Sequence, residues 1–489
     1  MTDHATPADG VRRWQALAVC LVAAFMTLLD VSIVNVALPS IREGLHASEA
    51  SLQWILSGYA LTFGLVLVPA GRLGDARSRR AVFLAGLALF TLASAVAGVA
   101  PGIGWLIGAR LVQGVAGGVL TPQVAGFIQQ LFQGPDRGRA FGALGTVIGV
   151  ATAAGPLTGG ALIALAGPQE GWRWVFYVNV PVGLAALPIA HRLLPAPGRG
   201  ERRGLDVPGV VLLGAAVLVL MLPFVQERQW HGALKWLLVP AALLLLAAFV
   251  RRERRAAAPM VDLALFRHRS YALGSAIALL YFAGFTGIFF IFTLYLQNGL
   301  GYSAFGAGLA ITPFALGSGS GAAAGGRLVA HYGRPLVAGG LAMVAAGLVG
   351  AWIAVELHPG GGVAWLTAAP LLLAGVGSGF VISPNQTITL SEVPSAEGGS
   401  AAGVLQTGQR VGTAVGIAGV GAVFFAAVGG ARPGAAEAWA DGFRRGLVVI
   451  LAFVVCALAA ALADLALNRR GRLRDRVPPP TPARPAARR

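Results

Sequence analysis

The sequence predicts an all-α polytopic membrane protein built from two six-helix bundles with a transmembrane hairpin between them. Three observations lead to this fold class: charged residues make up only 12% of the chain, apolar residues make up 56%, and the apolar residues form uninterrupted blocks. Each block has about 20 residues or more, the length that a helix needs to cross the hydrocarbon core of a bilayer. A soluble domain would carry roughly 25% charged residues, so a soluble fold is excluded.

The apolar blocks and the breaks between them predict fourteen transmembrane helices. In chain order the predicted spans are 14–37, 51–71, 80–100, 103–130, 139–165, 173–194, 206–226, 233–251, 271–297, 304–330, 335–356, 363–389, 400–428 and 444–468. Spans 1–6 form the first bundle, spans 7 and 8 the hairpin, and spans 9–14 the second bundle. The resulting regions are a tail at 1–13, a bundle at 14–194, linkers with the hairpin at 195–269, a bundle at 270–468 and a basic tail at 469–489.

Arginine placement predicts the orientation of these spans. With the amino terminus in the cytoplasm, the segments on that side hold 28 of the 37 Lys and Arg residues, and the opposite loops hold 7. Cytoplasmic loops carry such an excess in most membrane proteins, so both termini are predicted to be cytoplasmic. The net charge of +17 is therefore explained by topology and by contact with anionic lipid headgroups, and no nucleic-acid partner is expected.

Two short internal matches relate the two bundles. The stretch Gly71–Arg80, after span 2, resembles Gly326–Pro335, after span 10, and Gly114–Gly118 in span 4 resembles Gly375–Gly379 in span 12. The offsets are close, 255 and 261 residues. Parallel repeats of this kind characterise one class of transporter, with the binding site at the interface between the repeats.

Several kinds of chemistry are excluded by composition. Lys235 is the sole lysine, and no phosphate-binding GxxxxGK[ST] stretch precedes it, so ATP is not expected to energise the protein directly. The seven histidines are never at metal-ligand spacing, and Cys20 and Cys456 both lie inside apolar blocks, where a disulfide is not expected. We therefore expect neither a metal nor a cofactor.

Asp30 is the one acidic residue well inside a predicted span. A carboxylate there is costly and usually serves protons or cations, although a structural hydrogen-bonding role is the alternative. Arg110 in span 4 lies at a similar depth, about 7 residues from the outer end of its span, or about 10 Å at 1.5 Å per residue. Gln113 is one turn from Arg110. These residues predict a proton-coupling pair, Asp30 and Arg110, with Gln113 completing a polar cluster at the cavity.

Glycine, proline and the remaining interior arginine indicate parts that move. Span 5 contains Gly155, Pro156 and Gly159, and its proline removes a backbone donor and should bend the helix. Spans 10 and 13 carry glycines at four-residue spacing, for which close helix packing is the simpler interpretation. Arg410 lies near the inner third of span 13 and is a candidate for an aqueous path or a cytoplasmic gate.

Aromatic residues on two spans are candidates for the lining of the substrate cavity. Trp54 and Tyr59 on span 2, and Phe285 and Phe289 on span 9, could offer ring faces to flat or cationic ligands. Packing against lipid or neighbouring helices is the simpler alternative for each of them.

Several stretches of the chain resemble the motifs of a known family. The loop Gly71–Arg80 is similar to the loop signature of the major facilitator superfamily, apart from Ser78, where that signature usually has glycine. Arg110–Gly114 resembles its fourth-span motif, and Gly155–Gly160 its antiporter motif. Three further stretches, 29–39, 172–181 and 294–303 (the last containing Gln297), are similar to motifs of the fourteen-span drug–proton antiporters.

The resemblance implies the major facilitator fold, alternating access, and exchange of protons for a lipophilic, often cationic compound that leaves the cell. It places Asp75 and Arg79 in the gating loop and Gln297 in the substrate cavity. We expect Asp75 to meet the start of span 13 when the two halves close at the cytoplasmic side, because a carboxylate is favoured at a helix N-terminus. The expected protein is a bacterial plasma-membrane efflux transporter for multiple drugs, acting as a monomer and powered by the proton motive force.

Two rival functions remain open on the sequence. An exporter of one endogenous metabolite or antibiotic would have nearly the same sequence features and would differ only in the cavity lining. A membrane-embedded enzyme or a channel is disfavoured, since an enzyme needs a cluster of ionisable groups near one interface and the interior holds little beyond Asp30, Arg110 and Arg410.

Overall fold

The computed structural model describes residues 7–167, 169–196, 206–225, 230, 232–256, 259–430, 432 and 435–474. Over these residues the regular structure is entirely helical. The α-helices are α1 Pro7–Leu45, α2 Glu49–Leu73, α3 Arg79–Gly98, α4 Ile103–Leu131, α5 Gly134–Ala166, α6 Gly171–Tyr177, α7 Asn179–Leu193, α8 Val207–Val225, α9 Leu238–Glu253, α10 Arg269–Leu294, α11 Ala304–Tyr332, α12 Arg334–Leu357, α13 Val363–Thr389, α14 Gly398–Val428 and α15 Ala436–Arg474.

Twelve helical stretches in the described part of the chain are long and apolar enough to cross a membrane. One of them, Glu49–Gly98, contains both α2 and α3. A π-helical turn, Gly74–Ser78, joins these two helices, and Ser78 itself is extended (φ −159°, ψ 108°) and caps α3 by accepting a hydrogen bond from the Ala81 amide. The helix α11 is not among the twelve stretches, and its sequence is rich in glycine and serine.

The ends of the predicted elements shift in three places. The helix α1 begins at Pro7, inside the predicted tail, and α15 continues to Arg474, past the predicted start of the basic tail; residues 475–489 lie outside the described residues. The sixth predicted span consists of two helices, α6 and α7, which meet at Val178. Pro181, which has no backbone N–H to donate, falls in the first turn of α7, where no intrahelical donor is needed.

The internal repeats correspond to a repeated backbone contact. A side chain at Gly114 or Gly118 of α4 would meet the carbonyl oxygens of Tyr59 and Phe63 on α2, at 2.4 and 2.5 Å from the added Cβ. In the second bundle, a side chain at Gly375 or Gly379 of α13 would meet the α11 backbone in the same way, at the carbonyls of Phe314 (2.2 Å) and Ser318 (2.5 Å). Glycine is therefore required at matching points of both halves, because only glycine allows two helix backbones to approach so closely.

The two halves meet along two helix pairs. The helix α5 lies against α11, where Gly142 and Gly326 bring the backbones together, and α2 lies against α14, where Gly71 faces the Gly399 carbonyl. The hairpin of α8 and α9 packs on α2 through an apolar cluster that includes Leu61 and Met221. At the hairpin base Arg252 donates hydrogen bonds to Asp206 at 2.6–3.0 Å, which holds the pKa of that carboxyl below its usual range.

Candidate functional site: a buried charge centre and a closed gate

Asp30, on α1, lies at a buried charge centre that five helices build. Its side chain is fully buried, and its Oδ2 accepts a hydrogen bond from Arg110 Nη1 at 2.5 Å. Its Oδ1 accepts from Gln113 Nε2 at 2.8 Å and from Asn179 Nδ2 at 3.0 Å. The helices α1, α4 and α7 thus converge on one carboxylate, and α2 and α3 complete its surroundings.

Arg110 is as deeply buried as the carboxylate it neutralises, with 1% of its surface exposed. Besides Asp30, it donates to Gln113 Oε1 at 2.7 Å and to the Ile55 carbonyl at 3.3 Å. Its guanidinium carbon lies 4.2 Å from the centre of the Tyr59 ring, within cation–π range. Gln113 also donates to Ser94 Oγ on α3 at 2.7 Å. A buried ion pair offsets the cost of its own desolvation only when such additional hydrogen bonds are present.

Asp30 and Arg110, predicted to lie at one depth with Gln113 one turn away, are joined directly in the structure. The structure adds two partners that the sequence analysis did not select. The sequence does contain an indication that Asn179 is a site residue, because it is a lone amide in an apolar block and belongs to the stretch 172–181. No such indication exists for Ser94, since serine is common in apolar helices.

A second centre links the two halves at the end of the bundle that carries the turn Gly74–Ser78. The Asp75 carboxylate accepts hydrogen bonds from the Gly399 amide (3.1 Å), the Ser400 amide (2.7 Å) and the Ser400 hydroxyl (2.8 Å), all at the first turn of α14. The side chain of Asp75 is 1% exposed. A helix N-terminus holds a carboxylate in this way because its first amides lack intrahelical partners and its dipole favours negative charge.

Arg79 joins Asp75 to α4 and to the loop before α14. It donates to Asp75 Oδ1 at 2.5 Å, to the Gly126 carbonyl at 2.7 Å and to the Ser395 carbonyl at 3.2 Å. Gln129, which the sequence analysis did not select, donates to the Leu390 carbonyl at 2.6 Å and adds another contact between the halves. In this structure, therefore, the two bundles are closed at this end.

The glycine and proline residues of α5 face two different neighbours. A side chain at Gly155 would clash with Ser32 of α1, and one at Gly159 would come within 2.9 Å of Ile33. Pro156 lies on the other side, in contact with Gly308 of α11. This segment of α5 therefore contacts α1 of its own bundle on one side and α11 of the other half on the other side.

Arg410 lies on α14 with its guanidinium carbon 4.5 Å from the centre of the Phe63 ring. The rings of Phe63 and Tyr59 are stacked with centres 5.9 Å apart, and Arg110 covers Tyr59. The four side chains form a column from the buried ion pair to the second half of the molecule. We call this column, Arg110, Tyr59, Phe63 and Arg410, the arginine–aromatic column.

The remaining predicted cavity residues are dispersed. Phe285 and Phe289 on α10 are half-buried. Phe289 packs edge-on against Phe285 and against Phe314 of α11, and the ring of Phe285 is tilted against that of Phe314. Trp54 is half-buried on α2, and Gln297 is half-buried in the π-helical turn after α10. The structure does not bring these four residues into the charge centre.

A groove of about 1030 Å³ lies between the α8–α9 hairpin and helices α2, α10 and α14. Its lining is mostly apolar, and it includes Thr407 and Gly408 of α14, with Arg254 and Arg267 also on its wall. Among the described residues no group of three or more His, Cys, Asp or Glu side chains is arranged to hold a metal ion.

A family model and similar known proteins both match most of this chain. The family model described as Major Facilitator Superfamily matches residues 20–417. A probable actinorhodin transporter of Streptomyces coelicolor is 38% identical over 432 residues, covering 87% of this chain and 75% of the relative. The puromycin resistance protein pur8 of Streptomyces alboniger is 36% identical over 491 residues, covering 97% and 95%.

Among solved structures, the human organic anion transporter MFSD10 (TETRAN) superposes with a TM-score of 0.66 over 92% of this chain and 99% of that one. The sequence identity is 15%, so this likeness concerns the fold alone.

Proposed function

We propose, from the premise that this chain belongs to the Major Facilitator Superfamily, that it exports lipophilic antibiotics or other drugs in exchange for protons. The family resemblance inferred from the motifs is confirmed, and the chain is a multi-pass membrane transporter of the efflux type and not an enzyme. The proposal further includes proton exchange, fourteen spans and cytoplasmic termini.

Asp30 supports the assignment of proton coupling. Its carboxylate is the one acidic group in the middle of a described transmembrane helix, and its charge is balanced by Arg110. Protonation would remove the negative charge, leave Arg110 without its counter-ion and weaken the contacts that hold α1, α4 and α7 together. Intramembrane carboxylates commonly serve as proton relays for this reason.

The Asp75 contacts with the start of α14 support a conformational latch at the cytoplasmic end of the transporter. Closure of the cytoplasmic end forms the hydrogen bonds from Gly399 and Ser400, and opening breaks them. Asp30 is buried while the latch is closed, so a proton reaches it only after the helices around it move. Alternating access then requires that protonation of Asp30 and release of Asp75 occur in different steps of the cycle.

We count fourteen spans because Glu49–Gly98 contains two helices with a turn between them and α11 has 29 residues. The orientation, with both termini in the cytoplasm, follows from the arginine distribution. A single cysteine introduced near Gly232 should react with a membrane-impermeant reagent in intact cells, and one near Gly200, outside the described residues, should not. The reverse pattern would refute the orientation.

A dedicated exporter of one endogenous compound is the second candidate, and the names of the relatives favour it. One relative is named for actinorhodin and the other for puromycin, each a single antibiotic. Susceptibility profiling of cells with and without the gene against a broad drug panel separates the two candidates. Protection against many unrelated compounds indicates multidrug efflux, and protection against one indicates a dedicated exporter.

The proton assignment is tested by substrate-induced proton release from purified protein, using a compound selected in that profile. Asp30→Asn preserves the size of the side chain but cannot release a proton, so release should be lost in protein that still folds. Asp464→Asn is the matched control, because Asp464 is also a buried carboxylate but pairs with Arg334 near the end of the apolar stretch Ala436–Leu467. Normal proton release from Asp30→Asn would show that another group carries the coupling.

A further inference from the structure

Arg410 differs from Arg110 in having no counter-ion. Over the described residues it makes no ion pair and no hydrogen bond, and its recorded partner is the face of the Phe63 ring. It is half-buried in the middle of α14, and its Cβ is in contact with the Gly64 position of α2. An arginine inside a membrane protein usually pairs with an acidic group or lies on an aqueous path, because its charge is expensive to desolvate.

Unpaired hydrogen-bonding groups accompany Arg410. Within the part of the chain that the structure describes, the Thr407 hydroxyl, one turn earlier on α14, is buried without a hydrogen-bond partner, and so is the hydroxyl of Tyr59 in the arginine–aromatic column. A guanidinium and two hydroxyls are all able to donate, and buried polar groups are normally satisfied. The Gln406 side-chain oxygen, one turn before Arg410, is a buried acceptor that also has no partner among the described residues. What this region lacks is therefore an acceptor with a negative charge.

The charge balance of the interior also favours an anionic ligand near Arg410. Asp30 is the one carboxylate in the middle of the described transmembrane helices, and it is already paired with Arg110. A cationic ligand near Arg410 would meet a positive charge and no free carboxylate, whereas an anionic ligand would be neutralised without displacing an existing partner. The apolar groove that contains Thr407 has Arg254 and Arg267 on its wall and no acidic residue in its lining.

We propose that Arg410 binds the acidic group of the transported compound, a carboxylate or a phenolate attached to a lipophilic skeleton. The Phe63 ring holds the guanidinium in place, and the Thr407 and Tyr59 hydroxyls are the additional donors. This inference rests on the proposed efflux function and departs from the cationic substrates that the family resemblance implies. It also changes the energetics, because an inside-negative membrane potential drives an anion outward, whereas it opposes the export of a cation.

The test compares a lipophilic acid with its neutral ester and with a lipophilic cation. Binding of 1-pyrenebutyrate, its methyl ester and ethidium is measured by titration of the purified full-length transporter. We expect the wild type to bind the acid at least about tenfold more tightly than the ester or ethidium, the range of one charge-assisted hydrogen-bonded contact. Arg410→Gln should abolish this preference, and Arg410→Lys should retain part of it, since lysine keeps the charge but not the planar fork.

The control is Arg327→Gln, which removes the same charge from an exposed position on α11 and should leave the acid-to-ester ratio as in the wild type. Equal weakening of acid and ester by Arg410→Gln would mean that Arg410 has only a structural role, and tighter binding of ethidium than of the acid would overturn the proposal. Uptake driven by a pH gradient in proteoliposomes is measured in parallel. If no probe is transported while the acid preference persists, proton-coupled efflux fails and the anion site stands.

Discussion

The two repeated loops have similar sequences and make different contacts. Arg79 and Arg334 occupy equivalent positions, 255 residues apart, whereas the position of Asp75 in the first loop is taken by Ala330 in the second. Asp75 binds the start of α14, across the boundary between the halves. Arg334 instead pairs with Asp464 and donates to Ser270, both in its own half. Both loops thus contain an arginine that bonds to other helices, but only the first contains a carboxylate that bonds across the boundary between the halves.

The second repeat, Gly114–Gly118 and Gly375–Gly379, also combines similar packing in both halves with polar contacts in only one. Its glycines serve backbone packing in both halves, but the positions of Arg110 and Gln113 in the first half correspond to Leu371 and Ala374 in the second. Both of those apolar residues are buried in the core of the second bundle. Similar helix packing therefore supports a charge centre in one half and an apolar core in the other.

The largest expected effect comes from breaking the charge centre. Arg110→Ala leaves Asp30 buried without its counter-ion, which should lower the free energy of unfolding by about 3–5 kcal/mol and abolish proton-driven efflux. The control is the equivalent residue of the other half, where Leu371→Ala should lower stability by about 2–5 kcal/mol through a cavity and leave coupling intact. Thermal unfolding in detergent and pH-gradient-driven transport in proteoliposomes measure the two quantities.

A double variant separates stability from coupling at the same centre. Asp30→Asn combined with Arg110→Ala removes both charges, so it should recover much of the stability that Arg110→Ala alone loses. Proton coupling should remain absent. Coupled transport by the double variant would contradict the role assigned to this pair.

Substitutions in the two repeated loops, at Asp75 and Arg334, should have an intermediate effect on transport or stability. Asp75→Ala removes the bonds to Gly399 and Ser400 and should slow transport while leaving substrate affinity largely intact, because these bonds contribute to closure and not to binding. Arg334→Ala should lower the stability of the second bundle without changing the balance between open and closed states. Spin-label distances between α3 and α14 report that balance, and lost binding with an unchanged distance distribution for Asp75→Ala would exclude the latch.

The smallest effect is expected in the arginine–aromatic column. Tyr59 corresponds to Phe314 of the second half, and its hydroxyl has no hydrogen-bond partner over the described residues. Tyr59→Phe should therefore change the free energy of unfolding by less than about 0.5 kcal/mol. Tyr59→Leu loses the ring beneath Arg110 and should cost about 0.5–2 kcal/mol. Equal losses for both variants in thermal unfolding would mean that the hydroxyl, and not the ring, stabilises the column.

The resemblance of the motifs predicted the family, and hydropathy and charge were sufficient to predict the helical membrane fold and the residues that carry charge inside the membrane. These properties are local sums over about 20 residues, so they can be read along the chain. The four-residue glycine spacing of spans 10 and 13 predicted close helix packing, and Gly317 and Gly412 do face backbone carbonyls of neighbouring helices, those of Leu372 and Leu279.

Tertiary structure alone decided which partners those residues meet. Asn179 and Ser94 reach the charge centre from α7 and α3, and Gln129 reaches the Leu390 carbonyl of the other half. Arg410 lies on Phe63 with no counter-ion among the described residues, whereas Arg110 has one. Depth and motif predicted the pairing of Arg110 with Asp30, but no residue near Arg410 indicates whether a carboxylate will face it. The position of a carboxylate relative to that arginine depends on how distant helices cross, and helix crossing is set by packing over the whole bundle.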